Sequence, residues 1–450
     1  MMQALPSLHV AVGMVLSMIT LVVILQQRRS PQSTAAWVLF VIVLPYAAIP
    51  LFLLLGFRKR GSRFSAIAYR EADETIEPVH EVGHVLRDLG IPGATRHNAL
   101  TLLTGNAEAE AALFDLVRSA RERIDATFYL IRNDPSGESF VDLLTERAEA
   151  GIEVRLILDR LGSLSRPKAA LRRFAEAGGT LTYFSPLIQP PDKGHLNLRN
   201  HRKLVIADLN RVWSGGRNIG DEYFGVGPGA WQDLSFTVSG PVVQTYIDVF
   251  SSDWNVTAKG SALMPPIDVP DRDATAIVQL VPSGPDAPND PLHDGLVNAI
   301  HRAEKRVWIT TPYFLPTEAL LHALHTAAHR KIDLRIVMPR RSNQWTADFA
   351  RGAYVRDLEI AGARIFRHEG MIHGKAGIID DFGWLGSANF DVRSMLLNFE
   401  TTLFIYDHAS LEAMTEWMLR LQDEAREGLR PAGFTRRLAE GIFRLGAPIL

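Results

Sequence analysis

Hydrophobic and polar positions divide the chain into an uncharged N-terminal region and a long remainder with regular helix and strand periodicity. Residues 5–25 and 35–57 contain no Lys, Arg, Asp or Glu. Each stretch is as long as a helix needs to cross a hydrocarbon core of about 30 Å. Because backbone polar groups must be paired in lipid, the pattern predicts an N-terminal transmembrane helical hairpin with helices at about 5–25 and 35–57.

The residues within and around the two stretches add detail to the predicted hairpin. A cleavable signal peptide is the alternative for the first stretch, but no basic segment precedes it and no small-x-small site follows it. Pro45 and Pro50 should kink the second helix or let it dip into the membrane. Four basic residues lie at 58–63, whereas the loop between the stretches holds only Arg28 and Arg29. This asymmetry favours a multi-pass protein whose C-terminal portion is cytoplasmic.

The remainder repeats one order of elements twice. The first copy is predicted to contain a helix at 107–122, a strand at 126–131, a helix at 139–150, a strand at 152–158, a helix at 168–177 and a strand at 180–184. The second is predicted to contain a helix at 292–303, a strand at 307–311, a helix at 318–329, a strand at 332–338, a helix at 347–361 and a strand at 363–367. Alternating strands and helices predict an α/β fold with mostly parallel pairing.

Duplication indicates two similar lobes, related by a pseudo-twofold axis, that share one active site. We expect a membrane hairpin at 1–60, a linker at 61–98, a first lobe at 99–258 and a second lobe at 275–450. The linker assignment rests on the mixed polar composition of that segment.

Composition narrows the chemistry. Of 450 residues, 47% are apolar and 22% charged, so disorder is not the expected state. The net charge of −2 argues against a basic surface that coats nucleic acid, and we expect no nucleic-acid partner. The chain has no cysteine, which excludes disulfides, thiol nucleophiles and Cys-based zinc sites.

Each copy contains one H-x-K-x-x-x-x-D motif. Its named positions are His201, Lys203 and Asp208 in the first copy and His373, Lys375 and Asp380 in the second. Residues two apart on a strand share a face, so each His–Lys pair is predicted to point into one pocket. A single short motif would arise readily by chance, but two at equivalent places of a repeat indicate one composite catalytic site. The aspartates are candidate members of that site, and orienting the lysine or capping a turn are their alternative roles.

A turn of small residues that ends in asparagine follows each motif, with Asn218 in the first copy and Asn389 in the second. Small residues let a ligand approach the backbone, and a carboxamide can donate to an oxyanion. Together with the lysines, the two asparagines could bind the charge that gathers on a phosphodiester during attack. One imidazole could form a phosphohistidine while the other protonates the leaving alcohol. This chemistry needs no metal, and we expect no cofactor.

The chain resembles the bacterial cardiolipin synthases of the phospholipase D superfamily over nearly its whole length. The segments that carry the resemblance include Ala36-Trp37, Asn200-His201-Arg202-Lys203, Gly215-Gly216-Arg217-Asn218, Asp253-Trp254, Thr311-Pro312-Tyr313-Phe314, Gly386-Ser387-Ala388-Asn389 and Asn398-Phe399-Glu400. Two departures from the family pattern are Gly374, where alanine is usual, and the segment 338–344, which lacks an expected acidic residue.

The resemblance implies that two phosphatidylglycerol molecules react to give cardiolipin and glycerol in a bacterial inner membrane, with anionic phospholipids as partners. It implies that His201 is the nucleophile and His373 the general acid. It also implies that Asp233 and Glu400 orient the histidines. The sequence does not determine the oligomeric state, and from the residues alone the two histidines are equivalent.

Other functions stay open at this stage. A hydrolase of the same superfamily would use the same two motifs, because water and alcohol can attack the same phosphohistidine. A non-catalytic membrane scaffold would have no need of both histidines. The C-terminal segment from Arg430 mixes arginine with apolar residues, which is typical of an interfacial segment on anionic lipid or of an ordinary docking helix.

Overall fold

The computed structural model describes residues 4–26, 31–56, 64–70, 72, 74–184, 197–225, 229–258 and 273–445. The helices are α1 (Ala4–Gln26), α2 (Pro31–Val43), α3 (Pro45–Leu55), α4 (Glu81–Asp88), α5 (Asn106–Ser119), α6 (Pro135–Glu149), α7 (Lys168–Glu176), α8 (Asp221–Phe224), α9 (Val243–Ala258), α10 (Pro291–Arg302), α11 (Glu318–His329), α12 (Trp345–Ala361), α13 (Val392–Leu396), α14 (His408–Asp423) and α15 (Phe434–Leu445).

The strands are β1 (Thr95–Leu103), β2 (Arg123–Phe128), β3 (Glu153–Asp159), β4 (Thr180–Phe184), β5 (Leu204–Ala207), β6 (Arg211–Gly215), β7 (Ser235–Ser239), β8 (Ala276–Ser283), β9 (Arg306–Thr310), β10 (Phe314–Leu315), β11 (Asp333–Pro339), β12 (Arg364–His368), β13 (Ala376–Ile379), β14 (Phe382–Gly386), β15 (Phe390–Asp391), β16 (Glu400–Ile405) and β17 (Ala425–Glu427). All except β10 and β15 belong to one mixed sheet. We call the elements β1 to α9 the first half and β8 to β17 the second half.

Both halves have the same strand order. From the outside to the centre, the first half runs β4-β3-β2-β5-β6-β7-β1. The second half runs β12-β11-β9-β13-β14-β16-β8, with β17 as an additional edge strand beside β12. The halves meet where β1 pairs antiparallel with β8. The twelve elements predicted from periodicity are all present, so the α/β fold class is confirmed.

The prediction of mostly parallel pairing is wrong. In the main sheet, parallel pairs join β2, β3 and β4 in the first half and β9, β11 and β12 in the second. The strands nearer the centre pair antiparallel, because short turns join β5 to β6 and β13 to β14. Only the outer βα units therefore follow the predicted pattern.

The segment predicted as a linker, 61–98, contains ordered elements. Helix α4 contributes Val82 and Leu86 to an apolar core that also holds Leu296 of α10. Strand β1 begins at Thr95 and pairs with β7 and β8 at the centre of the sheet. Its polar composition concealed a central strand.

The N-terminal helices are confirmed in part. Within the described residues, His9–Gln26 of α1 is the one segment long and apolar enough to cross a membrane. The predicted helix at 35–57 is instead two helices, α2 and α3, of 13 and 11 residues. At about 1.5 Å per residue, neither crosses a core of about 30 Å alone. The break falls at Leu44, because Pro45 has no N–H to continue α2 and fits the first turn of α3.

Candidate active site

The two His–Lys pairs lie just before β5 and β13, at equivalent places of the sheet. Backbone hydrogen bonds between the halves fix both segments. The N–H of His201 donates to Phe399 O at 2.9 Å, and the N–H of His373 donates to Gln232 O at 2.6 Å. Each histidine is therefore supported by backbone from the opposite half.

The His201 ring is positioned by groups of the second half. Its Nδ1 lies 3.0 Å from Glu400 Oε2 and 3.0 Å from Ser387 O. The Ser387 hydroxyl also donates to Glu400. Because Nδ1 faces two acceptors, it carries the proton and leaves Nε2 as the basic nitrogen. Burial lowers the pKa of His201 in spite of the opposing effect of Glu400, so the ring is neutral near pH 7.

The His373 ring is positioned by the first half. Its Nδ1 lies 2.7 Å from Asp233 Oδ2. The aromatic rings of Tyr223 and Trp231 lie within 5.1 and 5.3 Å of the imidazole. Burial, followed by the ammonium of Lys375, lowers the pKa of His373 to about 3. The same ammonium and His373 outweigh the effect of burial on Asp233 and hold the pKa of that carboxyl at about 2.

Both lysines are buried beside their histidines. Lys203 Nζ donates to His201 O at 2.6 Å, and Lys375 Nζ lies 3.0 Å from His373 Nε2. Burial lowers the pKa of Lys203 to about 7 and that of Lys375 to about 8. Lys375 also lowers the pKa of Lys203, so charges from the two halves act on each other. An anionic ligand would relieve this repulsion.

The two predicted asparagines are buried after β6 and β14. Asn218 Nδ2 donates to the Tyr223 hydroxyl at 3.0 Å, which joins it to the aromatic group around His373. The carboxamide oxygens of Asn218 and Asn389 have no hydrogen-bond partner within the described part of the chain. These free acceptors can bind a donor such as a headgroup hydroxyl, whereas phosphate oxygens would be bound by the carboxamide N–H groups.

Asp208 and Asp380 lie at the far ends of β5 and β13, which corrects their assignment to the catalytic group. The four residues of β5 at about 3.3 Å each separate Asp208 from the Lys203 end by more than ~13 Å. Its carboxylate accepts the backbone N–H groups of Arg121, Glu122 and Arg123. Asp380 accepts three equivalent N–H groups before β9. Each aspartate caps a turn, one of the alternatives that the sequence left open.

The residue between His and Lys differs between the motifs. Arg202 is buried, with Nη1 2.6 Å from Asp253 and Nη2 2.8 Å from Asp286. Asp253 belongs to the first half and Asp286 follows β8, so this guanidinium joins the two halves. At the equivalent position of the second motif, a Cβ on Gly374 would come within 2.8 Å of the Trp417 ring.

Several residues at the site are not among those predicted from the sequence. Tyr129 lies 5.0 Å from the His201 ring and follows β2 directly. The rule that ligands bind at the carboxyl ends of parallel strands could have indicated it. Arg217 is buried, and its Nη2 donates to the backbone oxygen of Asp233 at 2.7 Å. No sequence signal separates Arg217 from the neighbouring turn residues.

The fold and the paired histidines first define a class, the phospholipase D-like α/β proteins. A phosphatidylserine synthase from Haemophilus influenzae Rd KW20 has a similar structure, with a TM-score of 0.63 over 82% of this chain and 100% of that chain. The two sequences are 16% identical, so this likeness concerns the fold.

Sequence comparisons identify the family. A family model described as cardiolipin synthase, phospholipase D-like domain, matches residues 113–254 and 296–422, and a phospholipase D-nuclease N-terminal model matches 15–56. Cardiolipin synthase A of Pseudomonas syringae pv. syringae is 32% identical, with 94% of each chain covered. The major cardiolipin synthase ClsA of Bacillus subtilis is 30% identical, with 96% of this chain and 97% of that one covered. The chain belongs to the cardiolipin synthase family.

Proposed function

We propose that this protein is a phosphatidyltransferase that converts two phosphatidylglycerol molecules into cardiolipin and glycerol. The observation that carries the proposal is the crossed arrangement of the site. Each half supplies a buried His–Lys pair, and each histidine is held by a carboxylate from the other half. In this proposal the halves are two phospholipase D-like lobes, related by a pseudo-twofold axis, that share one active site.

The first step forms a covalent intermediate. His201 Nε2 attacks the phosphorus of one phosphatidylglycerol while the bond from phosphorus to the headgroup glycerol oxygen breaks. His373, which becomes protonated when the phosphodiester binds, gives its proton to that oxygen, and glycerol leaves. Glu400 stabilises the positive charge that develops on the His201 ring, because its carboxylate accepts a hydrogen bond from Nδ1–H.

The second step reverses these roles. His373, now neutral, takes the proton from a headgroup hydroxyl of the second phosphatidylglycerol. The hydroxyl oxygen attacks phosphorus, the bond to His201 breaks, and cardiolipin forms with His373 again protonated. Lys203, Lys375, Asn218 and Asn389 bind the equatorial phosphate oxygens in both steps. Asp208 and Asp380 act on neither step, because they cap turns at the far end of the strands.

The N-terminal region would hold this site at a bacterial inner membrane. Helix α1 crosses the bilayer, and its exposed apolar side chains, such as Met14 and Met18, contact lipid. Helices α2 and α3 together form the returning arm, with the break at Leu44 inside the membrane. The excess of basic residues at 58–63 orients the catalytic portion toward the cytoplasm.

Product analysis of the purified full-length protein in mixed micelles tests this proposal. Phosphatidylglycerol labelled in its headgroup should give free glycerol and cardiolipin in equal amounts. His201→Ala and His373→Ala should each abolish turnover, whereas the control His408→Ala, which changes an exposed histidine of α14, should retain it. Phosphatidic acid as the sole lipid product would indicate a hydrolase instead. Full activity in His201→Ala would reject the site.

A further inference from the structure

An arginine-lined cavity of about 480 Å³ lies in the second half. Its walls come from the loop after β11, from α12, from Arg367 on β12 and from the segment that leads into α15. Seven of its fourteen lining residues are arginine, and Asp348 is the single acidic one. The steps proposed for the transferase use none of these residues.

Arg351 is the buried centre of this cavity. Its Nη2 donates to Pro339 O at 2.8 Å and forms an ion pair with Asp348 at 2.9 Å. Its Nη1 is buried and has no hydrogen-bond partner among the described residues. A buried guanidinium with an unused donor is costly unless a further acceptor binds it. Phosphate oxygens suit that donor, because guanidinium groups bind them with charge-assisted hydrogen bonds.

Nearby carboxylates offset only part of the positive charge. Glu440 binds Arg356 and Arg436 at 3.0 and 2.9 Å, and Glu369 lies 2.7 Å from Arg340. The seven lining arginines outnumber these two glutamates and Asp348. Arg341 and Arg430 are both exposed at the rim of the cavity. The cavity therefore favours an anion, and its rim extends that preference to the surface.

A stripe of exposed apolar side chains lies beside the cavity. Phe434, Leu438 and Ile442 of α15 recur every fourth residue and are 80%, 54% and 58% exposed. Trp345, at the start of α12, is 63% exposed and packs edge-on against Phe443 of α15. An apolar helix face flanked by arginines is typical of a segment that lies in the headgroup region of a membrane. Arginines and apolar groups together fit a phospholipid rather than a soluble anion.

The cavity opens at the same edge of the sheet as the histidines. Strands β9, β11 and β12 are parallel, and β13 is antiparallel to β9 with Ala376 opposite Thr310. The carboxyl ends of β11 and β12 therefore lie on the His373 side. At a strand spacing of about 4.8 Å, β11 and β12 are about 10 and 14 Å from β13. None of the residues that line the cavity belongs to the set that binds the reacting phosphate in the proposed transferase.

We propose that this cavity is a second lipid site, which binds the phosphate of an anionic phospholipid that does not react, while the stripe of α15 and Trp345 enters the bilayer interface. The site docks the second half onto an anionic membrane surface. This inference goes beyond the proposed transferase activity, because it would hold whether the reaction is transfer or hydrolysis.

Hydrogen exchange on the full-length chain in nanodiscs tests the proposal. His201→Ala serves as the background throughout, so that the lipid composition stays constant and no result depends on turnover. Deuterium uptake at 434–445 should be slower in discs that contain phosphatidylglycerol than in discs of phosphatidylcholine alone. The combined variant Arg341→Ala with Arg430→Ala should lose most of this protection. We expect each lost arginine to reduce the protection factor about fivefold.

Matched controls separate docking from folding. Arg121→Ala combined with Arg172→Ala removes two exposed arginines of the first half and should leave the protection unchanged. Phe434→Ser with Leu438→Ser and Ile442→Ser should remove the protection without lowering the melting temperature of the protein.

Two outcomes would overturn the proposal. One is equal uptake at 434–445 in both lipid compositions. The other is full protection by inorganic phosphate in phosphatidylcholine discs, which would make the cavity a site for a soluble anion. Neither outcome bears on whether the protein makes cardiolipin, which product analysis decides separately.

Discussion

The two halves of the sheet carry the same motif in the same strand order, yet they surround their histidines differently. The His201 side chain is 12% exposed and faces Glu400, with one aromatic neighbour in Tyr129. The His373 side chain is 6% exposed, faces Asp233 and packs against the rings of Tyr223 and Trp231, which also contact each other. The two histidines therefore have different surroundings although they belong to the same motif.

The difference also concerns charge. Each lysine donates to the backbone oxygen of its own histidine, but Lys375 also lies 3.0 Å from His373 Nε2. Burial, followed by the ammonium of Lys375, lowers the pKa of the His373 ring to about 3. The pKa of each ring is lowered, so both are neutral in the free site, and His373 gains its proton only when a bound phosphodiester favours the charged form. This asymmetry fits a nucleophile at His201 and a proton carrier at His373, and the following predictions test it.

The largest effect should come from the histidines, with a readout that separates their roles. With phosphatidylglycerol, both His201→Ala and His373→Ala should lose at least ~10³-fold in kcat, because each removes a required step. With a phosphatidyl ester of p-nitrophenol, the leaving group needs no proton. His373→Ala should then recover most of the rate of the first step, and His201→Ala should not. Release of nitrophenol in a rapid-quench burst measures this directly.

The contrary pattern is equally informative. A nitrophenol burst in His201→Ala but not in His373→Ala would exchange the two roles. Bursts in both variants would mean that either histidine can attack phosphorus, and the asymmetry described above would then have no chemical consequence.

The carboxylates should come next. Asp233→Asn and Glu400→Gln keep the shape of each contact but remove the charge that stabilises the imidazolium and fixes its tautomer. We expect kcat to fall about 10²–10⁴-fold in each, as in other sites where a carboxylate orients histidine. Steady-state kinetics in mixed micelles measures the loss.

A matched control lies within the same motif. Asp208→Asn changes a carboxylate that caps a turn at the far end of β5, so kcat should stay within about twofold while thermal stability falls. A loss in Asp208→Asn as large as that in Asp233→Asn would restore Asp208 to the catalytic group.

Much of this arrangement could be predicted from sequence. Helix α11 spans Glu318–His329, as its apolar periodicity predicts, and the paired motifs located both histidines. The central strands β1 and β8 are equivalent in the two halves but were not predicted, because each precedes the first predicted helix of its copy and contains polar residues such as Asn98 and Gln279. The predicted second membrane helix breaks at Leu44, where Pro45 cannot supply the N–H that would continue it.

The crossed pairing could not be predicted. Asp233 follows the first motif and Glu400 follows the second, so linear order suggests that each serves the histidine of its own half. The fold instead places Asp233 at His373 and Glu400 at His201, because backbone segments of the two halves pair at Gln232–Ile372 and Asn200–Phe399. The roles of Asp208 and Asp380 were ambiguous for a similar reason: their motif position does not reveal which backbone groups come within reach.

Among the motif residues that have no catalytic role, Arg202 should contribute most to the stability of the fold. Arg202→Ala would leave Asp253 and Asp286 buried without their cation, and we expect a loss of about 3–5 kcal/mol in the free energy of unfolding. Burial already raises the pKa of Asp253 to about 6. Arg202 opposes this rise, so its loss should raise the pKa further, and the folded variant should bind the proton and regain stability as pH falls from above 6. Denaturant melts at several pH values measure this.

Two further variants check the cause. Arg202→Met with Asp253→Asn and Asp286→Asn removes the charges together and should recover part of the lost stability. A loss in Arg202→Ala that does not change with pH would assign the effect to packing instead.

Gly374 is the counterpart of Arg202 and should give a smaller effect. Its added Cβ in Gly374→Ala would press on the Trp417 ring and lie 3.6 Å from Asp233 Cα. We expect a loss of about 1–3 kcal/mol from overpacking. Thermal melts of Gly374→Ala and of Gly374→Ala with Trp417→Phe measure it, and the second change should relieve the strain. Equal stability of Gly374→Ala and the parent chain would mean that Trp417 shifts freely.

The smallest expected effect is the pH dependence of kcat/KM that follows from the lowered pKa values of the two lysines. In the free site, burial lowers the pKa of Lys203 to about 7 and that of Lys375 to about 8, so both lysines lose charge between pH 7 and 9. A bound phosphodiester favours the charged forms of both lysines and of His373. The value of kcat/KM should therefore fall as pH rises through about 7–8, whereas kcat, which reports the bound state, should hold to higher pH.

Calorimetry separates this proton uptake from turnover. Phosphatidylglycerol is titrated into His201→Ala at pH 8 in two buffers that differ in ionisation enthalpy, and the difference in heat gives the protons taken up. We expect uptake at pH 8 to exceed that at pH 6, because the lysines are already charged at pH 6 and His373 alone then gains a proton. Proton release, or a kcat/KM that does not vary between pH 6 and 9, would contradict the lowered lysine pKa values. It would also remove the charge difference between the two halves.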